Sequence, residues 1–472
     1  MDCKIKFGTS GWRGVISDDF TFNNVRKVSQ AIANYVLEKD ASSGTRVNNG
    51  IIIGYDTRFL SEEFAKVAAQ VLSSNGIKVL LTKRDVPTPV IAYEIIRRKL
   101  AGGINITASH NPPEYNGLKF SPSWGGPALP ETTKIIENYA NNKNLIIKSN
   151  LKSEIKKINP RMNYIKNIEE KVDLTLIKKS KLKVGVDCLY GTGRDYLDYI
   201  LKKIADKVVV LHNQRDVYFG GSSPEPSEEN LKELINIMKE KKPHIGLAVD
   251  GDADRFGIID RDGTFISPNE VLSLLLVYLK KTRGWKGCVV RTVATTHFID
   301  ALGKKYNIPV KETPVGFKYI GEIMLKEDMI IGGEESGGLT IYKHIPEKDG
   351  ILACLLMLEM VAYEKKSISE ILKNLYKEVG FFINTRINIK LSEDKKKKLI
   401  DILKNNPPSK FSEFEVGKLI TIDGYKFLFK DGSWIMIRLS GTEPLVRCYA
   451  ESNSKKKLHR IIKIGKKFIL SV

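Results

Sequence analysis

The chemistry of this sequence is concentrated in four short segments, of which an acidic loop is the clearest. Asp250, Asp252 and Asp254 alternate with Gly251 and Ala253 directly after a predicted buried strand. Three carboxylates at alternate positions can converge only if the loop turns sharply, and the small residues between them allow that. Three hard oxygen ligands suit Mg²⁺, which keeps its other positions for water or phosphate oxygen. A solvated acidic turn is the simpler alternative.

A second segment, residues 107–120, places a serine at the end of a predicted strand. The apolar run from Leu100 to Ile106 breaks into small and polar residues before Pro112 and Pro113. Proline lacks an amide donor and restricts the residue before it, so neither strand nor helix continues. Ser109 is therefore predicted in a rigid turn, where open α/β folds place their chemistry. A lone serine in such a loop is more often a turn residue or helix cap.

The third segment is a glycine-rich turn at residues 332–338. Its glycines permit close backbone approach, and Glu334 and Ser336 can accept from and donate to vicinal sugar hydroxyls. A glycine-rich turn is usually only a turn, so this signal is weak alone.

The fourth segment, residues 438–444, combines a strand's end with hydroxyls, a glycine and flanking arginines. Backbone amides, hydroxyl donors and arginines together form a cradle suited to phosphate. The alternative is a capped helix start at residues 440–444, with Glu443 and Pro444 in the first turn. The two interpretations are compatible, because helix N-termini also bind phosphate.

Competing motifs fail on single residues. An EF-hand is excluded because Arg255 replaces its required glycine and a strand precedes the loop. The Gly191–Gly193 turn lacks the third glycine of a dinucleotide site, where Tyr196 stands. No GxxxxGK[ST] or GxSxG segment occurs, so the kinase and α/β-hydrolase interpretations lose their support.

Together these segments resemble the α-D-phosphohexomutases, the family of phosphoglucomutase and phosphomannomutase. TASHNPPEYNGLKF resembles the family's phosphoserine loop, DGDADR its metal loop, GGEESGG its sugar-specificity loop and RLSGTEP its distal phosphate loop. FGTSGWRG at residues 7–14, GYDTR at 54–58, PTPV at 87–90 and TPVGFK at 313–318 also fit. The resemblance covers nearly the full length, with the four loops in family order.

The resemblance implies a role for each matching residue. Ser109 carries the transferred phosphoryl group and, with Asp250, Asp252 and Asp254, holds the Mg²⁺. His110 orients the phosphoserine. The remaining roles are Lys119 as general acid/base, Arg13 as a charge clamp, and a substrate-binding set of Arg255, Gly316, Glu334, Ser336, Arg438, Ser440, Gly441, Thr442 and Arg447.

Two positions depart from the family pattern. Relatives that act on both glucose and mannose phosphates often have a histidine where this chain has Gly338, which leaves the identity of the general acid/base open. Many members have a proline where Leu439 stands.

The elements that must position these loops alternate strand and helix through most of the chain. Residues 50–55, 77–81, 183–187 and 245–249 are predicted buried strands, with helical spacing at residues 62–73 and 89–100. Residues 151–173 are polar and suit a linker or bridging helix. The tail differs, with alternating strands at 385–389 and 434–439 and helices at 394–403 and 455–470.

The predicted fold is α/β: three similar α/β domains with mixed, mainly parallel sheets plus a C-terminal α+β domain, around a central cleft. The predicted boundaries are 1–155 for the phosphoserine domain, 156–256 for the metal-loop domain, 257–370 for the sugar-loop domain and 371–472 for the phosphate-loop domain.

Composition fits a soluble cytoplasmic enzyme. The chain has 472 residues, 42% hydrophobic and 28% charged, and five scattered cysteines with no CxxC pair. The longest apolar run, Val271 to Leu279, is too short for a bilayer, and no signal peptide is apparent. The charge of +21 comes from dispersed lysines, so we expect no nucleic-acid and no membrane partner.

The predicted activity is interconversion of hexose 1-phosphate and 6-phosphate through a phosphoserine and a bisphosphate intermediate. Glucose is the favoured sugar, with glucose 1,6-bisphosphate as activator and mannose as a second substrate. Alternatives are phosphomannomutase, phosphoglucosamine mutase, a non-catalytic binding relative and a metal-dependent phosphatase. We expect sugar phosphates as the partners and a monomer or homodimer.

Overall fold

The computed structural model describes residues 4–43, 47–150, 152–439 and 445–472. They divide into two compact units. The first contains the chain up to Lys286 together with Gly316–Ser369, and the second contains Gly287–Val315 together with Glu370–Val472.

A six-stranded mixed sheet with helices on both faces forms the N-terminal part of the first unit. In space the strands follow the order β1-β5-β4-β2-β3-β6, with β4, β2, β3 and β6 parallel and β5 antiparallel to both β1 and β4. The strands are β1 (Trp12–Val15), β2 (Ile51–Tyr55), β3 (Val79–Thr82), β4 (Gly102–Ile106), β5 (Tyr115–Pro122) and β6 (Ile155–Ile158). The helices are α1 (Phe22–Ser43), α2 (Ser61–Ser74), α3 (Thr88–Arg98) and α4 (Pro130–Ala140).

The apolar run of β2 is buried on both faces, as a central parallel strand requires. Ile51 and Ile53 join the core formed with α1, α2 and α4. On the opposite face, α3 packs so closely that a Cβ at Gly54 would lie 2.5 Å from the Cδ1 of Ile91. Because β2 and β4 are parallel, both deliver their following loops to one edge of the sheet.

A second mixed sheet of five strands carries the acidic loop. Its order is β11-β10-β9-β7-β8, with β8, β7 and β9 parallel and β10 antiparallel to β9 and β11. The elements are α5 (Arg161–Glu169), α6 (Leu174–Lys179), β7 (Lys183–Asp187), α7 (Leu197–Ile204), β8 (Lys207–Leu211), α8 (Lys232–Lys241), β9 (Ile245–Val249), β10 (Phe256–Asp260) and β11 (Phe265–Ile266). Short 3-10 turns occur at Val47–Asn49 and Phe219–Gly221.

The following stretch alternates between helix and strand and contributes to both units. Its elements are α9 (Pro268–Arg283), β12 (Cys288–Thr292), α10 (Phe298–Lys305), β13 (Val310–Thr313), α11 (Phe317–Lys326), β14 (Met329–Gly333), β15 (Leu339–Ile341), α12 (Gly350–Glu364) and α13 (Ile368–Val379). In the first unit, β14 and β15 pair antiparallel across the glycine-rich turn. In the second unit, β12 and β13 pair in parallel.

The tail of the second unit is an antiparallel sheet with helices, as predicted. The strand order is β16-β21-β20-β19-β18-β17. The elements are β16 (Ile383–Lys390), α14 (Glu393–Asn405), β17 (Lys410–Phe411), β18 (Phe414–Ile420), β19 (Tyr425–Phe429), β20 (Trp434–Leu439), β21 (Leu445–Ser452) and α15 (Lys455–Leu470). The alternating apolar residues of β20 and β21 build the core with α14 and α15.

Two local expectations are corrected. The polar stretch after residue 151 contains the predicted helix, α5, but its first part is strand β6, which pairs in parallel with β3. The alternative of a helix that starts at residues 440–444 does not continue into the described residues, because the chain from Leu445 onward is strand β21. No helix among the described residues is long and apolar enough to cross a membrane.

Candidate active site

Ser109 lies in a tight turn three residues beyond the end of β4. Its φ is +54°, in the left-handed region that non-glycine residues seldom adopt, and the residue is buried. Its amide donates to Thr107 Oγ1 at 2.9 Å, so a hydrogen bond within the turn stabilises it. The hydroxyl donates to Asp250 Oδ2 at 2.7 Å, and His110 Nδ1 lies 3.4 Å from the same Oγ. The turn therefore aims the serine at the acidic loop.

Arg58 holds this turn in place. Its guanidinium donates to four carbonyl oxygens of the loop, at distances of 2.6 to 2.9 Å; they are those of Ser109, Asn111, Pro112 and Tyr115. The fifth donor, Nε, lies 3.1 Å from Asp56 Oδ2, and both side chains are fully buried. A planar fork of five donors matches this set of acceptors, which a lysine could not reproduce. Sequence reasoning gave Arg58 no separate role.

The acidic loop joins β9 to β10 in a sharp turn. Ala253 adopts a φ of +55°, and the Arg255 amide donates to Asp250 Oδ1 at 2.9 Å. The loop packs against the serine turn so closely that a Cβ at Gly251 would lie 2.7 Å from the carbonyl oxygen of Ser109. The glycine is therefore required for the contact between the two loops.

The three aspartates converge as the sequence predicted. One carboxylate oxygen from each of Asp250, Asp252 and Asp254 lies within 4.8 Å of the others, and all three side chains are buried. Asp252 Oδ1 and Asp254 Oδ1 are buried without a hydrogen-bond partner in the described structure. Buried carboxylate oxygens without partners are costly unless they coordinate a cation. The donor set therefore fits a hard divalent ion such as Mg²⁺.

Lys119, on β5, reaches the same cluster. Its Nζ donates to Asp252 Oδ2 at 2.6 Å and to Asp254 Oδ2 at 3.0 Å. Burial disfavours the ammonium, but these two carboxylates outweigh that cost and raise the pKa of Lys119. Thr88, at the start of α3, also donates to Asp252 Oδ2 at 2.6 Å. Lys119 is thus a protonated group at neutral pH, suited to donating rather than accepting a proton.

The carboxylates of the cluster differ in their proton affinity. Burial and the neighbouring Asp252 and Asp254 raise the pKa of Asp250 well above its usual range. Burial acts the same way on Asp254, but Lys119, Lys348 and Arg255 outweigh it and lower the pKa of that carboxyl. The two shifts have opposite directions because two lysines face Asp254, whereas Asp250 faces the other two carboxylates.

Lys348 is a site residue that sequence reasoning missed. Its Nζ lies 3.0 Å from Asp254 Oδ2 and 3.8 Å from Glu347 Oε1. Burial disfavours the charge, but Asp254 and Glu347 outweigh burial and raise the pKa of Lys348. The one feature of the sequence that could have indicated Lys348 is the glycine at position 338, because the Lys348 side chain lies against it.

The glycine-rich turn presents Glu334 at the end of β14. Glu334 Oε1 accepts from the Gly316 amide at 2.9 Å, and its backbone amide donates to the Gly338 carbonyl. Burial raises the pKa of Glu334 to about 7, against the opposing effect of Lys348. Gly316 has a φ of +135°, which favours glycine, so its contribution is the amide that holds Glu334. Ser336 is half-buried in the turn between β14 and β15.

Arg13 and Arg255 bring positive charge close to the serine turn and to His110. Arg13 Nη1 donates to Asn111 Oδ1 at 2.5 Å, and burial together with Arg255 lowers its pKa to about 10. The pKa of His110 falls well below its usual range because of burial and the nearby Arg255 and Arg13. For Arg255 burial acts in the same direction, but Asp254 and Asp250 outweigh it and raise the pKa. These shifts leave the imidazole neutral between two guanidinium groups.

His344, close to the glycine-rich turn, belongs to a structural network. Its Nε2 lies 2.8 Å from Asp349 Oδ2, and Asp349 also accepts from the Tyr164 hydroxyl and caps α12. The histidine is therefore held by a helix cap rather than directed at the cluster.

The predicted phosphate loop belongs to the second unit. Ser440, Gly441 and Thr442 lie outside the described residues. The strands that flank them place Arg438 directly opposite Arg447 across β20 and β21, and Arg438 Nε donates to Asp423 Oδ2 at 2.9 Å.

The structure thus brings together most of the predicted residues of the first unit. Ser109, His110, Lys119 and the three aspartates are linked by direct contacts, and Arg255 joins them through its amide. Glu334 is joined to Gly316, as described above.

Comparison with known proteins gives a consistent result along the chain. Residues 4–146, 162–263 and 267–379 match phosphoglucomutase/phosphomannomutase alpha/beta/alpha domains I, II and III, and residues 387–463 match the C-terminal domain of the same family. These four matches confirm the predicted fold class.

Relatives that match over the full length belong to the same family as the four domain matches. A phosphoglucomutase/phosphomannomutase of Thermococcus kodakarensis is 32% identical over 98% of each chain. A phosphoglucosamine/phosphogalactosamine mutase of Sulfurisphaera tokodaii is 31% identical over 98% of each chain. The crystal structure of a candidate phosphomannomutase from Thermus thermophilus superposes with a TM-score of 0.86 at 32% identity, covering 99% of this chain and 100% of that one.

Proposed function

The chain belongs to the phosphoglucomutase/phosphomannomutase family of enzymes, and we propose that it interconverts glucose 1-phosphate and glucose 6-phosphate through a phosphorylated Ser109. The observation that carries this proposal is the 2.7 Å contact between Ser109 Oγ and Asp250 Oδ2. It places a nucleophilic hydroxyl in a left-handed turn directly against a buried carboxylate cluster.

Positioning and electrostatics are the main contributions that phosphoryl transfer requires of a protein. The sugar hydroxyl attacks the phosphorus and the bond to Ser109 Oγ breaks. Lys119 supplies a proton to the leaving Oγ and is reprotonated by the proton that the sugar hydroxyl releases. The raised pKa of Lys119 keeps its ammonium group protonated at neutral pH. Arg13 and His110 border the turn and fix the orientation of the phosphoryl group.

Asp250, Asp252 and Asp254, with Ser109, would hold the Mg²⁺. When bound, this ion neutralises charge on the transferring phosphoryl group. The unpartnered oxygens of Asp252 and Asp254 support this assignment.

The sugar must present O1 in one half-reaction and O6 in the other. Glu334 and Ser336 can bind the hydroxyls in the middle of the ring. These hydroxyls keep nearly the same place when the sugar is turned end for end. The second phosphate then binds to a distal cradle, for which we propose Arg438, Arg447 and residues 440–442. The intermediate is a hexose 1,6-bisphosphate, and glucose 1,6-bisphosphate would prime an unphosphorylated Ser109.

Glucosamine and mannose phosphates are the alternative substrates. Full-length relatives at nearly equal identity are named for glucose, mannose and glucosamine phosphates, so similarity alone does not choose among them. The residues of the glycine-rich turn favour glucose.

The test is a coupled assay with glucose 1-phosphate, Mg²⁺ and a trace of glucose 1,6-bisphosphate. Mannose 1-phosphate and glucosamine 1-phosphate are run in parallel, and free inorganic phosphate is monitored. We expect bisphosphate-dependent turnover of glucose 1-phosphate without phosphate release. No turnover of any sugar by protein that carries phosphate on Ser109 would refute the mutase assignment, and steady phosphate release would favour a phosphatase.

A pair of serine variants isolates the role of the nucleophile. Ser109→Ala should abolish turnover and prevent the mass gain of one phosphoryl group after incubation with the bisphosphate. Ser222→Ala is the matched control, because Ser222 is exposed and lies outside the cluster. Appreciable turnover by the first variant would contradict the mechanism.

A further inference from the structure

The turn between β18 and β19 lies over the end of β20, where Arg438 stands. It contains Asp423 and Gly424, and Gly424 has a φ of +84°. A Cβ at Gly424 would lie 2.8 Å from the carbonyl oxygen of Ile437 and 3.2 Å from Arg438 Cα. Glycine allows this close approach, so the turn packs directly against the backbone of Arg438. The residue before that glycine, Asp423, is therefore placed beside the Arg438 side chain.

One carboxylate oxygen of Asp423 joins two segments of the second unit. Its Oδ2 accepts from Arg438 Nε at 2.9 Å and from the backbone amide of Val315 at 3.0 Å. The Val315 side chain packs against the buried cluster that contains Trp434 and Met436. Because a backbone amide beside a packed side chain has little freedom to move, the carboxylate is held in a fixed place.

The contact with Asp423 uses one of the five N–H donors of Arg438. Among the described residues, Asp423 is the one hydrogen-bond partner of this guanidinium. The terminal nitrogens, Nη1 and Nη2, therefore keep their donors for other acceptors. The Arg438 side chain is largely buried, and Arg447 lies directly opposite it across β20 and β21. Two terminal nitrogens in one plane match two oxygens of a phosphate group.

The effect of Asp423 on a bound anion has two parts with opposite signs. Its negative charge weakens the attraction of Arg438 for phosphate. Its hydrogen bond also orders a long side chain, whose freedom would otherwise be lost when the phosphate binds. The Asp423 side chain is 25% exposed, so water screens part of the repulsion, whereas the ordering of Arg438 is retained. The net effect should therefore favour phosphate binding.

We propose that Asp423 is a positioning residue for the distal phosphate of the sugar: it holds Arg438 by Nε so that Nη1 and Nη2 bind that phosphate. This inference rests on the proposed function and adds to it a residue that acts through Arg438. The distal phosphate is not the group that is transferred, so its contacts are alike in the ground state and in the transition state. Binding of this kind changes KM more than kcat.

The kinetic test compares Asp423→Ala with Asp423→Asn in assays of glucose 1-phosphate. For Asp423→Ala we expect KM to rise about tenfold, within the limit of about 30-fold that the rotamer entropy of one arginine sets. We expect kcat to stay within about threefold of wild type. Asp423→Asn should recover much of the lost affinity, because an amide oxygen can still accept from Nε. An unchanged KM for Asp423→Ala, or a fall in kcat without a rise in KM, would overturn the proposal.

Asp431→Ala is the matched control. Asp431 belongs to another turn of the same sheet, between β19 and β20, and its Oδ2 lies 3.1 Å from Lys457 Nζ. Its Oδ1 accepts from the Ser433 amide at 2.9 Å, so it too bonds to one cation and one backbone amide. We expect the wild-type KM in this variant. A rise in KM as large as that of Asp423→Ala would show a general effect of disturbing the sheet and would contradict the proposal.

Ligand affinity is measured without turnover in the Ser109→Ala background. Calorimetry with glucose 1,6-bisphosphate should show that Asp423→Ala weakens binding by about tenfold, in parallel with KM. Tighter binding in both Asp423 variants would mean that the carboxylate competes with phosphate for Arg438, and the proposal would be wrong.

A double-mutant cycle identifies the residue through which Asp423 acts. In the Arg438→Met background the effect of Asp423→Ala on bisphosphate affinity should disappear, because no guanidinium remains to be oriented. Additive losses would show that Asp423 acts through Val315 or another contact, which contradicts the proposal. Failure of the proposed function is distinguishable, because wild-type protein would then be inactive on every sugar phosphate, whereas failure of this inference leaves the wild type active.

Discussion

Replacing Arg58 by methionine should both destabilise the first unit and disable the serine turn. The guanidinium donates to four carbonyl oxygens of the turn and pairs with Asp56. Both members of the pair are fully buried, so the substitution leaves Asp56 as an uncompensated carboxylate. Methionine fills a similar volume, so the effect reports polar contacts rather than a cavity.

The magnitude follows from the number of partners left behind. Removing one member of a buried ion pair costs about 3–5 kcal/mol. Burial already raises the pKa of Asp56 against the opposing effect of Arg58, so the carboxyl can relieve part of this cost by taking up a proton. We therefore expect the free energy of unfolding to fall by about 3 kcal/mol, the lower end of that range.

Urea denaturation and kcat are measured on the same preparations. Without the four donor contacts the left-handed φ of Ser109 is no longer enforced, so kcat should fall by more than the folded fraction alone accounts for. Arg58→Lys should recover part of the stability but little of the activity, because one ammonium cannot reach four carbonyls.

The control is Arg97→Met on α3. Arg97 also pairs with a buried carboxylate, Glu94, but Arg98 bonds to the same group and remains. Its loss should cost under about 1 kcal/mol, as for a surface pair. The reasoning is refuted if Arg58→Met unfolds at the same urea concentration as wild type with unchanged kcat.

Three further outcomes are expected. Burial lowers the pKa of Lys426 to about 7 in the second unit, so the unfolded state binds more protons between pH 7 and the usual lysine value. The free energy of unfolding should therefore rise over this window, by at most about 3 kcal/mol from about pH 7 to about pH 9.5. The prediction is refuted if the difference in urea midpoint between wild type and Lys426→Met is the same at both pH values. Glu334, with a pKa of about 7, must be ionised to accept two hydroxyl donors, so kcat/KM should decline as pH falls through about 7. Glu334→Gln should not show this decline in kcat/KM. If the decline persists in the variant, a different titrating group causes it and the prediction is wrong. Asp254→Asn should weaken Mn²⁺ binding by at least about tenfold in relaxation measurements; an unchanged affinity would exclude Asp254 as a ligand.

The sequence alone was sufficient for most of the fold. The apolar runs of β2, β7 and β9 and the helical spacing of α2 and α3 predict those elements within a few residues, because a buried strand and an amphipathic helix have different periods. The strand β6 was missed, because its exposed Lys156 and Lys157 follow the pattern of a polar linker. Its place is decided by pairing with β3, which local sequence does not specify.

For the site, the sequence determined the chemistry that each loop could perform. A motif whose residues are close together in the sequence can be recognised without the fold. Three alternating aspartates, for example, indicate a candidate cation site. It also determined where three of those loops begin, since the serine turn, the acidic loop and the phosphate loop each follow a predicted strand.

Only the tertiary structure decided which loops meet and which residues join them. Ser109 and Asp250 lie 141 positions apart, and their contact depends on the packing of two separate sheets. The contacts of Arg58 and Lys348 cannot be inferred from the local sequence, because an arginine or lysine in a sequence is usually a solvated surface charge. Both are buried because their acceptors, the carbonyls of a strained turn and the carboxylate of Asp254, come from other parts of the chain. Satisfying buried polar groups is a property of the assembled core, so it becomes visible only once the sheets are packed together.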